Sequence, residues 1–401
     1  MSTTAKAHGM DGRLVDADWR PLELAEVRAL LRRYSGLGEP IEILSVSPRP
    51  FSAASVVSTA GGRVFIKRHH RSVRDREGLL EEHRYIAYLR AHGAAVPGVI
   101  ADQCGETAIE EREWTYEVHE APESVDLYGD ALSWTPFRTN AHAYSAGQAL
   151  ARLHLAAEGF AAPRRGPRPL VASFTIFAAH DPRAEMELYL SARPALMDFA
   201  GTRGCCDEAL ELLAPFHSEL QPLLPALEPL WTHNDLHASN VLWSDGTDDA
   251  QAAAIIDFGL ADRTNAVHDL AHAIERNIVE WLVLVERSEI GDQRSESPKN
   301  VPVHFDHLHS LLGGYESMRR LSDKEAAALA PMTALCHAEF ALSETDYFLS
   351  VLDREDQAPM ACDGWLVGHA RWFRGAGERL LDSLREWAAE RERKPRGDWR
   401  P

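Results

Sequence analysis

Two patterns of hydrophobic and polar positions follow one another along the chain. In the N-terminal third, short apolar segments alternate with turn residues such as the Gly61–Gly62 pair, which is typical of β-strands joined in hairpins. The predicted strands are Ile43–Ser47, Val56–Val57, Val64–Lys67 and Glu113–Val118. Together these segments predict a small antiparallel sheet.

Apolar residues at helical spacing dominate the rest of the chain. Leu79, Glu82, Ile86 and Leu89 share one helical face, so the carboxylate of Glu82 stands where core residues belong. Later stripes predict two more helices, and Ser322–Glu325 has the spacing of a capping box. These stripes are Ala143, Ala146, Leu150, Leu153 and Ala157, and Leu366, Ala370, Phe373, Gly377, Leu380, Leu384 and Trp387. The second stripe predicts one long C-terminal helix.

The order of these elements predicts an α+β fold with two lobes. A small N-terminal lobe holds the antiparallel sheet and one key helix, and a large C-terminal lobe is mainly helical. We expect the lobes to divide at residues 1–118 and 119–401, with a ligand cleft between them. The polar and charged segment at residues 286–300 is predicted to be a surface insertion.

Composition narrows the classes of partner. The formal charge is −19, which argues against nucleic acid and anionic membranes as partners because both would be repelled. Five cysteines without repeated spacing argue against a zinc or disulfide framework. No secretory signal and no bilayer-length apolar segment are present in the sequence, so we expect a soluble, cytoplasmic protein. Small or cationic molecules suit the charge of −19 better than nucleic acid or anionic membranes do.

The strongest chemical motif spans Thr232–Leu242 and reads THNDLHASNVL, followed by Ile255–Gly259, IIDFG. In the catalytic loop of kinases, an Asp orients or deprotonates the acceptor hydroxyl and an Asn five residues later binds Mg²⁺. Asp235 and Asn240 have this spacing, and Asp257 occupies the place of the second metal-binding carboxylate. Mg²⁺ favours such oxygen ligands together with phosphate oxygens and water.

A lysine is expected beside this metal site, because phosphoryl transfer depends on neutralising phosphate charge. The segment Val64–Lys67 matches the V-x-I-K strand pattern, which makes Lys67 the candidate. Such a lysine is usually held by a glutamate of the following helix, and Glu82 is the carboxylate on the buried face. The sequence therefore predicts a Lys67–Glu82 ion pair.

These residues resemble the aminoglycoside phosphotransferase and choline kinase superfamily, including its homoserine-kinase-like and stress-response-kinase-like members. The similarity spans roughly residues 41 to 274 and includes His237 in the catalytic loop, Leu150–His154 and Asp269–Ala271. One departure is the nucleotide loop, which has no glycine between Gly38 and Gly61. Ser52 and Ser55 are the candidate phosphate donors in that loop.

Together, the motifs and the resemblance imply an ATP-dependent phosphotransferase that acts on a hydroxyl of a small molecule. Residues 1–118 would form the nucleotide-binding lobe, with adenine near Glu117 and His119. Lys67, supported by Glu82, would bind the phosphates. Asn240 and Asp257 would bind Mg²⁺, and Asp235 would receive the acceptor proton. An amino alcohol, an amino acid or an aminoglycoside-like molecule suits the acidic chain.

Three alternatives stay open from the sequence. The same superfamily contains protein serine/threonine kinases, although the chain lacks an A-P-E segment after Asp257. A non-catalytic nucleotide-binding regulator is the second alternative, and the intact Asp235 argues against it. In the third, His233, Asp235 and His237 converge on a metal as in a metallohydrolase, which leaves Lys67 without a function.

Overall fold

The protein is described here by a computed structural model of residues 6–8, 14–282 and 301–393. The insertion predicted at residues 286–300 lies outside these residues. A two-stranded pair, β1 (Lys6–His8) and β2 (Leu14–Asp16), precedes helix α1 (Leu24–Leu31). Next comes a five-stranded antiparallel sheet of order β3-β4-β5-β7-β6. Its strands are β3 (Pro40–Val46), β4 (Ala53–Thr59), β5 (Gly62–His70), β6 (Ile109–Glu111) and β7 (Trp114–Glu120).

Helix α2 (Arg76–Ala91) connects β5 to β6 and links the sheet to the helical part of the molecule. Asp75 caps its N-terminus by accepting a hydrogen bond from Gly78 N at 2.8 Å. The face predicted from the sequence is the buried one, with Glu82 4% exposed. On the opposite side of the sheet, α1 packs against apolar residues of β4, β5 and β7. Helix α1 therefore covers one face of the sheet.

The remainder of the described chain is mainly helical, with two short antiparallel pairs among the helices. The strand pairs are β8 (Pro229–Thr232) with β11 (Asp262–Asn265), and β9 (Val241–Trp243) with β10 (Ala252–Ile255). The helices are α3 (Asn140–Ala157), α4 (Pro182–Ser191), α5 (Pro194–Asp198), α6 (Ala200–Leu220), α7 (Ala266–Ile278), α8 (Phe305–Met318), α9 (Asp323–Leu335), α10 (Ala338–Asp346), α11 (Gly368–Phe373) and α12 (Glu378–Arg393). This architecture confirms the predicted α+β class.

The single long C-terminal helix predicted from the sequence is wrong. A π-helical segment, Met360–Val367, leads into α11, and the chain then turns before α12 begins. Gly377 N closes this turn by donating to Trp372 O at 2.8 Å. A Cβ at Gly377 would lie 2.5 Å from the Trp372 ring, so glycine permits the turn to pack against the indole. By contrast, the capping box of α9 is confirmed at Ser322 and Glu325.

The two short strand pairs bring the predicted motif segments together. Strand β8 ends at Thr232 and leads into residues 233–240, and β10 ends at Ile255, two residues before Asp257. Ile256 N donates to Asn240 O at 2.9 Å, which joins the two segments.

The division of the chain into two lobes at residues 118 and 119 falls within β7 and stays a prediction. None of the helices in the described ranges is both long and apolar enough to cross a membrane.

Candidate functional site

Helix α7 holds the backbone of residues 233–240 through Asp269 near its N-terminal end. The Asp269 carboxylate accepts hydrogen bonds from His233 N at 2.8 Å, Asn234 N at 2.7 Å and His154 Nε2 at 2.9 Å. Burial by itself would raise the pKa of Asp269, but these hydrogen bonds and the His154 charge lower it to about 2. The carboxylate is therefore ionised and ties the start of the loop to α3 and α7.

A second side chain of the same helix holds the other end of the loop. Asn277, two helical turns after Asp269, accepts from Ala238 N at 2.9 Å and donates to Leu236 O at 2.8 Å. Between these anchors, Asn234 has a φ of +60°, a conformation that is uncommon for residues other than glycine. The loop conformation is thus imposed by buried hydrogen bonds on both sides of Asp235.

Asn240 and Asp235 are joined by direct hydrogen bonds. Asn240 Nδ2 donates to Asp235 O at 2.9 Å and to Asp235 Oδ2 at 3.1 Å. Both bonds use the amide nitrogen, so the amide oxygen is the atom of Asn240 that remains to bind a cation. Asn240 is 6% exposed, which restricts the orientation of this oxygen.

Lys67 of β5 meets Asp257 across 190 residues of sequence. Its Nζ donates to Asp257 Oδ1 at 2.8 Å. Asp257 has a φ of +62°, so its backbone is also held in the left-handed region. Burial alone would raise the pKa of Asp257, yet the Lys67 ammonium lowers it well below its usual value. For Lys67, the charges of Asp257 and Glu117 outweigh burial and raise its pKa. Both groups are therefore charged.

The predicted Lys67–Glu82 ion pair is wrong in this structure. Among the described residues, Glu82 pairs with Arg74 Nε at 2.9 Å and with Arg165 Nη2 at 2.7 Å. Both guanidinium groups are buried and need an anion, and their planar donors suit a carboxylate better than an ammonium does. Burial would raise the pKa of Glu82, but the charges of Arg165 and Arg74 lower it. Lys67 therefore pairs with Asp257 instead of Glu82.

Glu117 and His119 lie on β7, where Glu117 is paired in register with Lys67. The Glu117 carboxylate accepts hydrogen bonds from His69, His83 and His119, each at 2.9 Å. Burial would raise the pKa of Glu117, but these three histidines lower it well below its usual value. Glu117 thus organises three imidazoles at the wall of the cleft, and its contact with adenine stays a prediction.

Two adjoining cavities meet at the residues described above. Lys67, Asn240 and Asp257 line both of them. The larger cavity runs along β4 and β7 and includes Glu117, His119 and the segment from Glu120 to Pro122. Ser52 and Ser55 also face it, and the buried Ser55 Oγ has no hydrogen-bond partner among the described residues. The smaller cavity contains Asp235 and is enclosed by Phe51, Trp134 and Phe340.

Sequence reasoning missed Arg276, a fully buried residue of α7 that forms an ion pair with Asp235. Its guanidinium lies 4.7 Å from the centre of the Phe340 ring. Burial lowers the pKa of Arg276 to about 10, so it stays charged near neutral pH. The helical spacing of His268, His272 and Arg276 was the available signal, because it places three ionisable residues on one face of a helix.

The metallohydrolase alternative has no support in the site geometry. Of the described residues, two groups place three possible metal ligands close enough to share an ion, and neither group contains His233, Asp235 and His237. His233 Nε2 lies 2.9 Å from Ile256 O, and His237 Nδ1 lies 2.8 Å from Ser239 Oγ. Burial lowers the pKa of His237 to about 3, so this imidazole is neutral. These histidines support the loop.

Comparison with known proteins gives a match to one family. Residues 49–298, more than half of the 401 residues, match the model of the phosphotransferase enzyme family. This range includes Lys67, Asp235, Asn240 and Asp257. No curated protein matches the chain.

Solved structures with low sequence identity share the fold. They include the microcompartment-associated aminopropanol kinase, which has a TM-score of 0.56 at 17% identity and is matched over 90% of this chain and 99% of that chain. An amicoumacin kinase in complex with AMP-PNP, Ca²⁺ and Ami has a TM-score of 0.51 at 14% identity, over 92% and 93%.

Proposed function

The chain belongs to the phosphotransferase enzyme family, and on this premise we propose that it transfers the γ-phosphoryl group of ATP to a hydroxyl of a small molecule. One observation carries the proposal: Lys67, Asp235, Asn240 and Asp257 come from distant parts of the sequence and line one cavity. A triphosphate needs this mixture of one ammonium and several oxygen ligands around it. The AMP-PNP complex of the amicoumacin kinase supports ATP as the donor.

The donor atoms fit a magnesium ion bound to ATP. Asn240 offers an amide oxygen and Asp257 an ionised carboxylate, which are the hard ligands that Mg²⁺ prefers. When bound, Mg²⁺ would neutralise charge on the β- and γ-phosphates. Lys67, which lies 2.8 Å from Asp257, would bind phosphate oxygens, and Ser55 would offer its buried hydroxyl, which has no hydrogen-bond partner among the described residues, to the same group. Adenine would lie along β7 near Glu117 and His119.

Asp235 would act on the acceptor. Its Oδ2 is held by Asn240 Nδ2 at 3.1 Å, so the carboxylate is oriented before the acceptor arrives. It would accept the hydroxyl proton while the acceptor oxygen attacks the γ-phosphorus in line, and ADP would leave as the bond from the γ-phosphorus to the bridging oxygen breaks. Arg276 contacts the same carboxylate and places a positive charge beside it. The buried anchors of the loop, Asp269 and Asn277, would preserve this geometry.

The residues that line the smaller cavity indicate which class of acceptor would fit it. Two carboxylates, Asp235 and Asp257, line it, and both are assigned to the transfer itself. The apolar lining residues are Pro50, Phe51, Val73, Leu132, Trp134, Leu170, Leu260, Leu282 and Phe340. Such a surface favours an amino alcohol or amino acid with a compact apolar part over a polycationic aminoglycoside. The aminopropanol kinase is a protein of the same fold whose description fits this class.

A panel of acceptors tests the proposal. Purified protein with MgATP is assayed for ADP release against amino alcohols, hydroxylated amino acids, aminoglycosides and a protein substrate, and phosphorylated products are identified by mass. We expect acceptor-dependent ADP release with a small hydroxylated amine. Asp235→Asn should lower kcat by about 10²–10⁴-fold. Asp356→Asn is the matched control, because the Asp356 side chain is 70% exposed and lies outside both cavities.

Two results would contradict the proposal. Phosphorylation of the protein substrate alone would replace the small acceptor by a polypeptide. Equal turnover by Asp235→Asn and Asp356→Asn would remove Asp235 from the reaction.

A further inference from the structure

Three ionisable side chains of the helical region meet behind the wall of the smaller cavity. Glu275 belongs to α7, His337 lies between α9 and α10, and His369 is the second residue of α11. Their exposed fractions are 0%, 2% and 3%. Residues far apart in sequence thus place one carboxylate and two imidazoles in a single buried cluster.

This cluster lacks the hydrogen bonds that buried polar groups normally make. Both carboxylate oxygens of Glu275 and both ring nitrogens of His337 and His369 have no hydrogen-bond partner in the part of the chain that the structure describes. Buried polar atoms without partners are rare in native proteins because each loses its hydrogen bonds to water and gains none in return. Six such atoms on three neighbouring side chains, with one atom of each side chain close to the other two, point to a ligand that satisfies several of them together.

The distances suit a shared metal ion. Glu275 Oε1 lies 3.5 Å from His337 Nδ1 and 3.5 Å from His369 Nδ1. Ligand atoms on a tetrahedral zinc ion, with bonds of about 2.0–2.2 Å, are separated by roughly 3.4 Å. The other carboxylate oxygen, Oε2, is 3.8 Å from Arg276 Nε, so Oε1 is the atom available to the histidines.

A second cluster in the same molecule shows the difference between hydrogen bonding and a metal site. His83 and His119 lie with Glu117 within reach of one ion as well. Their nitrogens, however, are 2.9 Å from a carboxylate oxygen, the length of an N–H···O hydrogen bond, and that cluster is satisfied without a metal. The longer separations around Glu275 are too great for hydrogen bonds of this kind.

We propose that Glu275, His337 and His369 bind one zinc ion. Two imidazole nitrogens and one carboxylate oxygen form a common ligand set for Zn²⁺, whereas Mg²⁺ prefers oxygen ligands throughout. A water molecule would complete the tetrahedron. This site is separate from the magnesium site at Asn240 and Asp257, and it does not depend on the proposed reaction.

Aromatic side chains enclose the cluster and connect it to the smaller cavity. Trp281 stacks on His369 with ring centres 3.7 Å apart, and Trp134 and Phe340 contact the His337 ring edge-on, at 5.8 and 5.5 Å. Trp134 and Phe340 also line the cavity that contains Asp235. The zinc ion would therefore join α7, the turn between α9 and α10, and α11, and hold the aromatic wall of the cavity that contains Asp235.

Metal content tests the proposal without any activity assay. The full chain is purified without chelator from zinc-supplemented cells, passed through gel filtration and analysed for bound metals, with no nucleotide present. We expect one zinc per chain. After removal of the metal, hundredfold excess of Zn²⁺ over its Kd should raise the Tm by about 3 °C. Cobalt in place of zinc should give the visible absorption of a tetrahedral site.

Matched variants locate the ion. His337→Gln and His369→Gln should each lose the zinc, whereas His217→Gln, at another buried histidine, should keep it. The cobalt spectrum of the unaltered protein decides the question even if the first two variants fail to fold. Absence of zinc and of any thermal shift would overturn the proposal. So would a zinc content that survives both substitutions, or one that is lost with His83→Gln instead.

Discussion

Replacing Asp269 by asparagine tests whether one buried carboxylate holds the catalytic loop. The carboxylate accepts three hydrogen bonds, from His154, His233 N and Asn234 N. An asparagine amide has only one oxygen. That oxygen can still accept from His154 and His233 N, but the NH₂ group would then face Asn234 N, which is also a donor. One unsatisfied buried donor and the loss of charge on the remaining bonds should cost about 3 kcal/mol.

The expected thermal effect follows from the size of the protein. An unfolding entropy of about 2.1 cal/mol/K per residue over 401 residues converts 3 kcal/mol into a Tm decrease of roughly 4 °C. Calorimetry on Asp269→Asn and on the exposed control Asp356→Asn measures this difference. We expect no change in the control. Because Asn234 N would lose its acceptor, kcat should fall as well.

The lowered pKa of Asp269 predicts how the stability difference between the two proteins depends on pH. The folded pKa of Asp269, about 2, lies below the ordinary value of 3.8. The stabilisation is therefore fully present above the ordinary value and is lost as the pH falls from there toward 2. The Tm gap between the unaltered protein and Asp269→Asn should stay constant from pH 8 to pH 5. A gap that changes across this range, or no gap at all, would refute the reasoning.

Three further changes test neighbouring contacts. Lys67→Met should lower kcat/KM for ATP by about 10²–10³-fold while circular dichroism stays unchanged, because a charged phosphate donor is removed; an unchanged kcat/KM would contradict this. Glu82→Gln removes the buried carboxylate between Arg74 and Arg165, leaves Arg165, among the described residues, only the part-exposed Glu81 at 3.3 Å, and should lower the free energy of unfolding in urea by about 3 kcal/mol; equal midpoints would show that this network is unimportant. Ser55→Ala should weaken ATP binding with little effect on the KM of the acceptor, and a change confined to the acceptor KM would place Ser55 elsewhere.

Much of the fold followed from local sequence patterns. Strands β4, β5 and β7 and the buried face of α2 were predictable because alternating and helical periodicities are local properties. The break between α11 and α12 was not, since it depends on the packing of Gly377 against the Trp372 ring. A stripe of apolar residues continues across that break, and periodicity alone cannot distinguish one helix from two.

In the candidate site, too, some residues could be predicted from local sequence and others depend on packing between distant residues. Asp235, Asn240 and Asp257 were found from short motifs whose spacing reflects a local backbone conformation. Neither partner of Glu82 could be found this way, because Arg165 lies 83 residues away in a loop and Arg74, only eight residues before Glu82, is one of several arginines near the start of α2. Which cation approaches a buried carboxylate is decided by packing between distant segments, and here two arginines occupy the place expected for Lys67.

The central claim is that Lys67, Asn240 and Asp257 surround one magnesium-bound triphosphate, and a crystal structure with AMP-PNP and Mg²⁺ tests it most directly. We predict Mg²⁺ at about 2.1 Å from Asn240 Oδ1 and from an Asp257 carboxylate oxygen. Lys67 Nζ should lie within hydrogen-bonding distance of a phosphate oxygen, and the γ-phosphate should face Asp235. A nucleotide bound elsewhere, with no metal between Asn240 and Asp257, would contradict the account.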